Sequence, residues 1–272
     1  MRVALGQIPI SSEPQINLDR VRAAAVSAAG QGAAIAVFPE GTQVRFSADL
    51  RAVAEPLDGP FCRGLAKIAA SAGLAIVASL FEPAPDGRVY NTTVAYEADG
   101  SLAAVYRKIH LFDALGYRES ESVAPGDEVV ITNLAGLRVG FMTCYDVRFP
   151  ELARALAAGG ADLLVLPSAW AAGTFKEEHW VTLVRARAIE NTIWVAAAGQ
   201  VPDPAEPPTK APTGIGRSLL VDPMGVVRLD LGPAEGLGVG DVDTEQTAQV
   251  RAVLPSLAGR RTEIWLRGAA VS

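Results

Sequence analysis

The sequence is poor in cysteine and histidine. Its 272 residues include two cysteines, Cys62 and Cys144, and two histidines, His110 and His179. Two cysteines are too few for a disulfide framework in a chain of this length, which favours a reducing compartment. Two histidines so far apart do not have the ligand spacing of a zinc site, so we expect no metal.

Long apolar runs and basic clusters are also absent. No apolar run approaches the ~20 residues that span a bilayer, and the N-terminus begins like a strand, without the apolar segment of a signal peptide. The formal net charge is −6, and no cluster of Lys and Arg favours contact with nucleic acid or an anionic membrane. These absences favour the cytoplasm and argue against membrane and nucleic-acid partners.

Short apolar runs alternate with helical stretches, which is typical of an α/β protein. Half of the residues are apolar, and neither a repeat nor a boundary divides residues 1–272, so we expect one domain. The five prolines of Val201–Pro212 indicate a surface loop. The predicted strands are Arg2–Ile8, Ala34–Phe38, Leu74–Leu80, Asn91–Glu97, Leu102–Lys108, Arg138–Thr143, Asp162–Leu166, Thr192–Ala198, Arg217–Val221 and Gly225–Leu231. The predicted helices are Asn17–Ala29 (N-cap Asn17), Phe61–Ala72, Phe149–Ala158 and Lys176–Glu190.

Cys144 is the first candidate for chemistry. It follows the predicted strand Arg138–Thr143 and precedes a helix with Pro150 near its first position. A nucleophile on a strand-to-helix turn is accessible, and the backbone N–H groups around it can bind an oxyanion. Position alone leaves a buried structural cysteine, which is the commoner fate of a lone cysteine, as the alternative.

Glu40 and Lys108 are two further candidates. Glu40 comes just past the buried strand Ala34–Phe38, and sites in α/β sheets collect at the carboxyl ends of strands. A carboxylate beside apolar residues can have a raised pKa and act as a base, the alternative being a solvated loop acid. Lys108 lies on an apolar strand, where a buried ammonium needs an anion nearby. Its alternative is a lysine that reaches solvent.

Three segments that contain these residues resemble the signature segments of the nitrilase superfamily of carbon–nitrogen hydrolases. The segments are Phe38–Glu40, Tyr106–Leu111 and Gly140–Glu151. They occur in the order typical of that superfamily, and the resemblance extends from Val3 to about Trp265. It implies a four-layer α-β-β-α sandwich that assembles into homodimers. The glycine-rich Gly236–Gly240 does not directly follow a predicted strand and has no predicted helix after it, which argues against a dinucleotide site.

The same resemblance implies the roles of the site residues. Glu40 is expected to be the general base, Lys108 the cation and Cys144 the nucleophile, with the backbone N–H of Tyr145 as an oxyanion donor. The implied reaction hydrolyses a small amide to its acid and ammonia through a thioester on Cys144, without metal or cofactor. Glu119 resembles the additional glutamate that positions substrate in the superfamily, and Glu121 is a neighbouring competitor for that role.

The segments also resemble one branch of the superfamily. Cys144-Tyr145-Asp146 differs from the Cys-Trp-Glu of nitrilases proper and, with Arg107–Asp113, resembles the ω-amidases and deaminated glutathione amidases. That branch acts on small amides of dicarboxylic or 2-oxo acids, whose remote carboxylate needs a cation. Arg148 and Lys176 are the candidates, although Arg148 can instead pair with a nearby acid. By position, the pocket is also lined by Ser168, Ala169 and Trp170.

Other functions stay open at this point. Within the superfamily, the protein can be an N-carbamoyl-amine hydrolase or a nitrilase. Outside it, a cysteine peptidase-like enzyme would use His110 or His179 as its base. A binding or scaffold protein without turnover is the third possibility, and the presence of all three candidate catalytic residues argues against it.

Overall fold

Two β-sheets pack face to face at the centre of the computed structural model, which describes residues 1–261. Residues 262–272, which include the end of the predicted domain and of the family resemblance, lie outside the described residues. The first elements are β1 (Arg2–Gln7), α1 (Pro14–Gly30), β2 (Ile35–Val37), α2 (Leu50–Val53), α3 (Pro60–Ala72), β3 (Ala75–Pro83), β4 (Val89–Tyr96) and β5 (Leu102–Arg107). Then come β6 (Asp113–Ala114), β7 (Tyr117–Arg118), β8 (Val123–Ala124), β9 (Ile131–Leu134), β10 (Leu137–Phe141), α4 (Pro150–Ala158) and β11 (Leu163–Ser168). The last are α5 (Lys176–Asn191), β12 (Trp194–Gly199), β13 (Leu219–Val221), β14 (Val227–Asp230), β15 (Gly236–Asp241) and α6 (Thr244–Val253).

The chain builds the two sheets largely one after the other. In the described residues the first sheet has the order β15-β1-β2-β3-β4-β5, with β8 paired to β4, and the second has the order β14-β13-β12-β11-β10-β9. Strands β1, β2 and β3 run parallel, as do β10, β11 and β12. The carboxyl ends of these central strands are therefore the places where loops from each sheet can form a shared site.

Helices cover the outer face of each sheet. Helices α1 and α3 pack against each other and on the first sheet, and α4 and α5 do the same on the second. The inner faces of the sheets meet through contacts of β1 and β2 with β12, of β2 with β11 and of β5 with β9. This is the expected four-layer α-β-β-α sandwich, and the predicted fold class is confirmed.

The central strands of the first sheet, β1, β2 and β3, bury both of their faces. In β1, Val3 and Leu5 join the core between the sheets, whereas Ala4 joins the core under the helices α1 and α3. Because successive side chains of a strand point to opposite faces, a strand covered on both sides needs apolar residues at every position. This explains why the strand signal in the sequence is a continuous apolar run rather than an alternation.

One local prediction was wrong, and one glycine-rich segment was left without a structural assignment. Asn17 is not the N-cap of α1, which begins at Pro14; its buried amide instead bridges Ser11 and the Gln43 carbonyl oxygen at 2.9 Å. The glycine-rich Gly236–Gly240 lies within a strand, β15, which pairs antiparallel with β1 along the edge of the first sheet. A Cβ at Gly238 would lie 2.6 Å from side-chain atoms of Leu229 and Leu231, so close packing, rather than a ligand loop, accounts for this glycine.

The proline-rich loop Val201–Pro212 has no regular secondary structure beyond an isolated bridge at Val201, as predicted, and ionic contacts attach it to the first sheet's loops. Glu206 accepts hydrogen bonds from the Ser12 N–H at 2.6 Å, from the Ser11 hydroxyl at 2.9 Å and from Arg45 Nη1 at 2.9 Å. Hydrogen bonds from Ser12, chiefly its backbone N–H, lower the pKa of Glu206 to about 2. The ionised carboxylate is thus a specific anchor for the loop.

We expect Glu206→Gln to destabilise the protein in a pH-dependent way. Because the folded-state pKa is below the ordinary 4.5, the ionised carboxylate contributes stability at neutral pH, and this contribution is lost as pH falls from about 4.5 towards about 2. At pH 7 the variant should lose about 1–2 kcal/mol in the free energy of unfolding, measured by urea denaturation. The deficit should shrink at acidic pH, whereas the exposed Glu128→Gln control should change by less than about 0.5 kcal/mol. A deficit that is the same at every pH would contradict the assignment.

Candidate active site

Glu40 lies in the loop after β2, where the chain leaves the first sheet. Gly41, at φ +64°, turns the backbone immediately after it, which a residue with a Cβ rarely allows. The Glu40 carboxylate is almost fully buried. Its Oε2 accepts the Ala169 N–H at 2.9 Å, and its Oε1 accepts from Lys108 Nζ at 2.9 Å. Three partners, with Asn91 as the third, hold the carboxylate in a single orientation.

Lys108 directly follows β5, and its ammonium joins two carboxylates. Besides Glu40, it donates to Glu119 Oε1 at 3.0 Å and Oε2 at 2.8 Å. The side chain is 2% exposed. Burial lowers the pKa of Lys108, but Glu119 and Glu40 outweigh that effect and leave the pKa well above its ordinary value. The residue is therefore a permanently charged, immobile ammonium.

Glu119 begins a short 3-10 turn, Glu119–Glu121, and is also almost fully buried. Its Oε2 accepts the Phe112 N–H at 2.7 Å in addition to the Lys108 ammonium. Burial raises the pKa of Glu119, whereas Lys108 lowers it, and the net direction is upward. Glu121 is exposed and lies 3.8 Å from Arg118. Of the two competing glutamates, only Glu119 reaches the cluster.

Cys144 begins the 3-10 turn Cys144–Arg148 that follows β10. Its backbone has φ +47°, a left-handed conformation that is strained for a residue with a side chain and that recurs at nucleophile turns. The N–H of Tyr145 belongs to the first turn of this helix, where N–H groups have no carbonyl partner inside the helix. The turn thus places the Cys144 thiol beside a backbone N–H that the helix itself does not use.

The surroundings of Cys144 favour the protonated form of its thiol. Burial and the neighbouring Glu40 carboxylate raise the pKa of this thiol, while Lys108 and Ser168 lower it, and the net direction is strongly upward. A thiol is a poor nucleophile until its proton is removed. A base must therefore act when substrate is present, and Glu40 is the carboxylate beside the sulfur.

A single cavity brings these groups together. It encloses about 330 Å³ of empty space, counted out to its mouth. Four of its lining residues carry the proposed chemistry: Glu40, Lys108, Glu119 and Cys144. The others are Phe46, Phe112, Tyr117, Tyr145, Ala169, Trp170, Ala171, Lys176 and Pro212. The cavity thus has an acid-base cluster against largely aromatic walls.

Comparison with known families supports this geometry. Residues 2–252 match the model of the carbon-nitrogen hydrolase family. The chain belongs to the carbon–nitrogen hydrolase family. The predicted resemblance to the nitrilase superfamily is therefore confirmed.

Relatives of this carbon–nitrogen hydrolase include named amidases. A Mycobacterium tuberculosis (strain H37Rv) protein named only as a hydrolase is 44% identical over 259 residues, 92% of each chain. The deaminated glutathione amidase of Escherichia coli O157:H7 is 37% identical over 96% of this chain and 97% of its own length. The human omega-amidase is 33% identical over 97% and 96%. The predicted branch is among these relatives.

Solved structures agree with the fold of the hydrolase. A mutant amidase from Nesterenkonia sp. AN1, described with acrylamide added at its active-site cysteine, matches with a TM-score of 0.82 and 30% identity over 98% of this chain and 99% of that one. Saccharomyces cerevisiae Nit3, a member of the nitrilase superfamily, matches with a TM-score of 0.83 and 28% identity over 96% of each chain.

A buried carboxylate behind the nucleophile holds the Cys144 turn of the hydrolase in place. Asp146 accepts hydrogen bonds from the Tyr106 hydroxyl at 2.6 Å, from the Thr143 N–H at 2.8 Å and from the His110 N–H at 3.0 Å. With Thr143 it forms a capping box, in which each side chain accepts the other residue's N–H. These bonds over-determine the turn and so maintain the strained φ of Cys144.

The two histidines are placed away from the cavity lining. His110 Nδ1 lies 2.7 Å from Asp146, and its ring stacks on Phe149 at 3.7 Å between centroids. His179 Nδ1 lies 3.4 Å from an Arg148 nitrogen. Neither ring lines the cavity that contains Cys144. This geometry favours Glu40 over a histidine as the base.

The predicted substrate-binding residues separate into two groups. Ala169 and Trp170 line the cavity, and Ser168 lies fully buried next to the Cys144 thiol at the end of β11. Arg148 does not line the cavity; its guanidinium lies over the ring of Trp170, 4.9 Å from the ring centroid. The other candidate cation, Lys176, does line it.

Sequence reasoning missed several groups of the site. Asn91 donates to Glu40 at 2.8 Å and to Glu119 at 3.2 Å, and so orients both carboxylates. The sequence did contain a sign of this role, because an amide side chain at the start of a predicted buried strand needs polar partners. Phe46 and Pro212 line the cavity from irregular loops, and no periodicity identifies such residues.

We expect Asp146→Ala to disrupt the 3-10 turn Cys144–Arg148. The change leaves several buried donors without an acceptor, so the free energy of unfolding should fall by about 3 kcal/mol or more. The rate at which iodoacetamide alkylates Cys144 should also change. Peptide mass spectrometry measures this rate, with the buried Cys62 as internal reference. The matched variant Tyr106→Phe removes one hydrogen bond and should cost only about 1 kcal/mol. Equal effects of the two variants would contradict the positioning role.

Proposed function

We propose that the protein hydrolyses a small linear amide to its carboxylic acid and ammonia, with Glu40, Lys108 and Cys144 as the catalytic residues. The observation that carries the proposal is the cluster in which one buried ammonium holds two carboxylates beside the Cys144 turn. A base, a cation and a nucleophile with a backbone oxyanion donor are the groups that acyl transfer from nitrogen requires.

In the first half-reaction, the Cys144 thiol gives its proton to Glu40 as the sulfur attacks the carbonyl carbon of the amide. The carbonyl π electrons move to oxygen, and the resulting oxyanion is stabilised by the Lys108 ammonium and the Tyr145 N–H. Glu40 then returns the proton to the nitrogen. The carbon–nitrogen bond breaks, ammonia leaves, and a thioester remains on Cys144.

In the second half-reaction, a water molecule attacks the thioester carbon while Glu40 removes one of its protons. Collapse of the second tetrahedral species breaks the carbon–sulfur bond, and Glu40 returns the proton to the sulfur. The products are the acid and the regenerated thiol. Glu119 orients Lys108 throughout and helps to position the substrate. All proton transfers are made by these residues, so the sequence of steps requires no metal or cofactor.

The proposed substrate class is the ω-amide of a dicarboxylic or 2-oxo acid. Relatives named deaminated glutathione amidase and omega-amidase support this class. The aromatic cavity, whose empty space is about 330 Å³, suits a short substrate. The nitrilase and N-carbamoyl alternatives differ in their products, because a carbamoyl substrate releases carbon dioxide together with ammonia.

We also propose that the enzyme works in the cytoplasm as a homodimer or a higher homo-oligomer. None of the helices in residues 1–261 has the length and hydropathy of a membrane span, and the unpaired Cys62 and Cys144 suit a reducing compartment. The assembly is the one that the resemblance to the nitrilase superfamily implies. Sedimentation velocity of the full chain measures the oligomeric state.

Trapping of the intermediate tests the reaction itself. The protein is incubated with succinamate or glutaramate, quenched in acid and analysed by intact mass and peptide mapping. We expect an acyl adduct on Cys144, ammonia without carbon dioxide, and no adduct with Cys144→Ala. The absence of both ammonia and adduct with a panel of short amides, carbamoyl amines and nitriles would support a scaffold function and overturn the proposal.

We expect Glu40→Gln to slow ammonia release by about 10²- to 10⁴-fold, the usual contribution of a general acid-base group. The amide keeps the shape of the side chain but cannot take the thiol proton. His179→Ala serves as the control for a histidine base and should retain the rate within about threefold. The reverse pattern, with loss of activity only in His179→Ala, would favour the peptidase-like mechanism.

A further inference from the structure

Lys176 is a buried cation without a carboxylate partner in the cavity. The other lysine in the lining, Lys108, is neutralised by two carboxylates at 2.8 and 2.9 Å. Lys176 is only 4% exposed, yet it makes no ion pair with any of residues 1–261. A buried ammonium that lacks an anion is costly and rare. The Lys176 ammonium would therefore be stabilised by an anion, and residues 1–261 do not supply one.

Aromatic rings hold this lysine in position. Its Nζ lies 4.2 Å from the centroid of Trp170 and 5.0 Å from that of Phe112, and both rings line the cavity. The indole N–H of Trp170 donates to the Lys176 carbonyl oxygen at 2.7 Å, which ties the ring to the backbone of the same residue. The rings stabilise the charge in part, but they offer no acceptor that matches the ammonium's three N–H donors.

The backbone position of Lys176 adds to the free-energy cost of burying its charge. It is the first residue of α5, where the helix dipole is positive and a cation is disfavoured. The acidic residues that follow do not compensate, because Glu177 and Glu178 are exposed and Glu177 pairs with Arg217. Burial, with a smaller effect of Arg148, lowers the pKa of Lys176, whereas Cys144 raises it. An anion bound beside the ammonium would relieve this penalty.

The charges of the catalytic cluster explain why an anionic substrate needs such a residue. When Glu40 and Glu119 are ionised, the single ammonium of Lys108 leaves one net negative charge near the sulfur. That charge repels a substrate that carries a carboxylate, and the repulsion is strong in a buried cavity. A positive charge in the same cavity offsets the repulsion and draws the anionic end away from the cluster.

We infer that Lys176 binds the carboxylate of the substrate at the end remote from the scissile amide. The residue thereby selects amides that carry an anionic group over neutral amides. This inference rests on the proposed amidase function and specifies its substrate. The geometry points to Lys176 and not to Arg148, whose guanidinium lies outside the cavity lining, over Trp170 and Tyr145 and beside His179.

The test compares two amides that differ in charge and little else. Succinamate has a carboxylate where its diamide, succinamide, has a neutral amide of similar shape, and glutaramate and glutaramide form a second pair. The measured quantity is kcat/KM for ammonia release from each, and the selectivity is the ratio of the anionic to the neutral substrate. Because both substrates contain the same scissile group, damage to the catalytic residues cancels in this ratio.

We expect wild-type protein to prefer the anionic member, and Lys176→Met to lower the selectivity by roughly tenfold to a hundredfold. The loss should lie in the anionic substrate, with kcat/KM for the diamide within about threefold of wild type. Arg148→Met, which removes a cation that packs on the same Trp170, should keep the wild-type ratio. An unchanged ratio in Lys176→Met, or a collapse of the ratio in Arg148→Met alone, would overturn the inference.

Failure of the inference is distinguishable from failure of the proposed function. If the wild type hydrolyses no amide, the function itself is wrong. If it hydrolyses the neutral and anionic members equally well, the function stands and the role of Lys176 is wrong. Lys176→Gln is the second variant in case Lys176→Met does not fold. Should neither fold, the role of Lys176 is supported if the wild-type ratio is above about three and Arg148→Met keeps it, and it is rejected otherwise.

Discussion

The site depends on one buried ammonium shared by two carboxylates. Lys108 is surrounded by Glu40 and Glu119, and all three side chains are at most 2% exposed. Each charge is costly to bury alone, and removal of one partner leaves the others buried without a full counter-charge. The three residues come from the loop after β2, the end of β5 and the turn at Glu119–Glu121. The cluster therefore forms only when these distant segments adopt their final positions.

The sandwich places the reacting groups at the junction of its two sheets. Glu40 follows a strand of the first sheet, whereas Cys144 and Ala169 follow strands of the second. The Ala169 N–H donates to Glu40 across the junction at 2.9 Å, and the hydroxyls of Thr93 and Thr143 meet at 3.1 Å behind the nucleophile. These direct contacts between the sheets fix the Glu40 carboxylate relative to the Cys144 sulfur, which the proposed proton transfer requires.

The two lysines of the cavity differ in their partners, and this difference is the basis of the different roles proposed for them. Lys108 is held by carboxylates and cannot follow a mobile ligand, so it suits a charge that develops at one fixed atom. Lys176 is held by the faces of Trp170 and Phe112, and its N–H donors are free of carboxylates in residues 1–261. An ammonium on aromatic rings keeps its charge available for an anion. The same ammonium group therefore has two different environments within one cavity.

The sequence alone determined the α/β class, the candidate residues Glu40, Lys108 and Cys144, and the family. Apolar runs, strand ends and three motif segments are local properties that a linear pattern records. Only the tertiary structure decided that Asn91 joins the carboxylates and that Lys176, not Arg148, reaches the cavity. Arg148 and Lys176 are equally cationic in the sequence, and the direction of each side chain depends on how α5 and the Cys144 turn pack. Contacts between segments far apart in the chain leave no periodic signal, so they had to be seen in three dimensions.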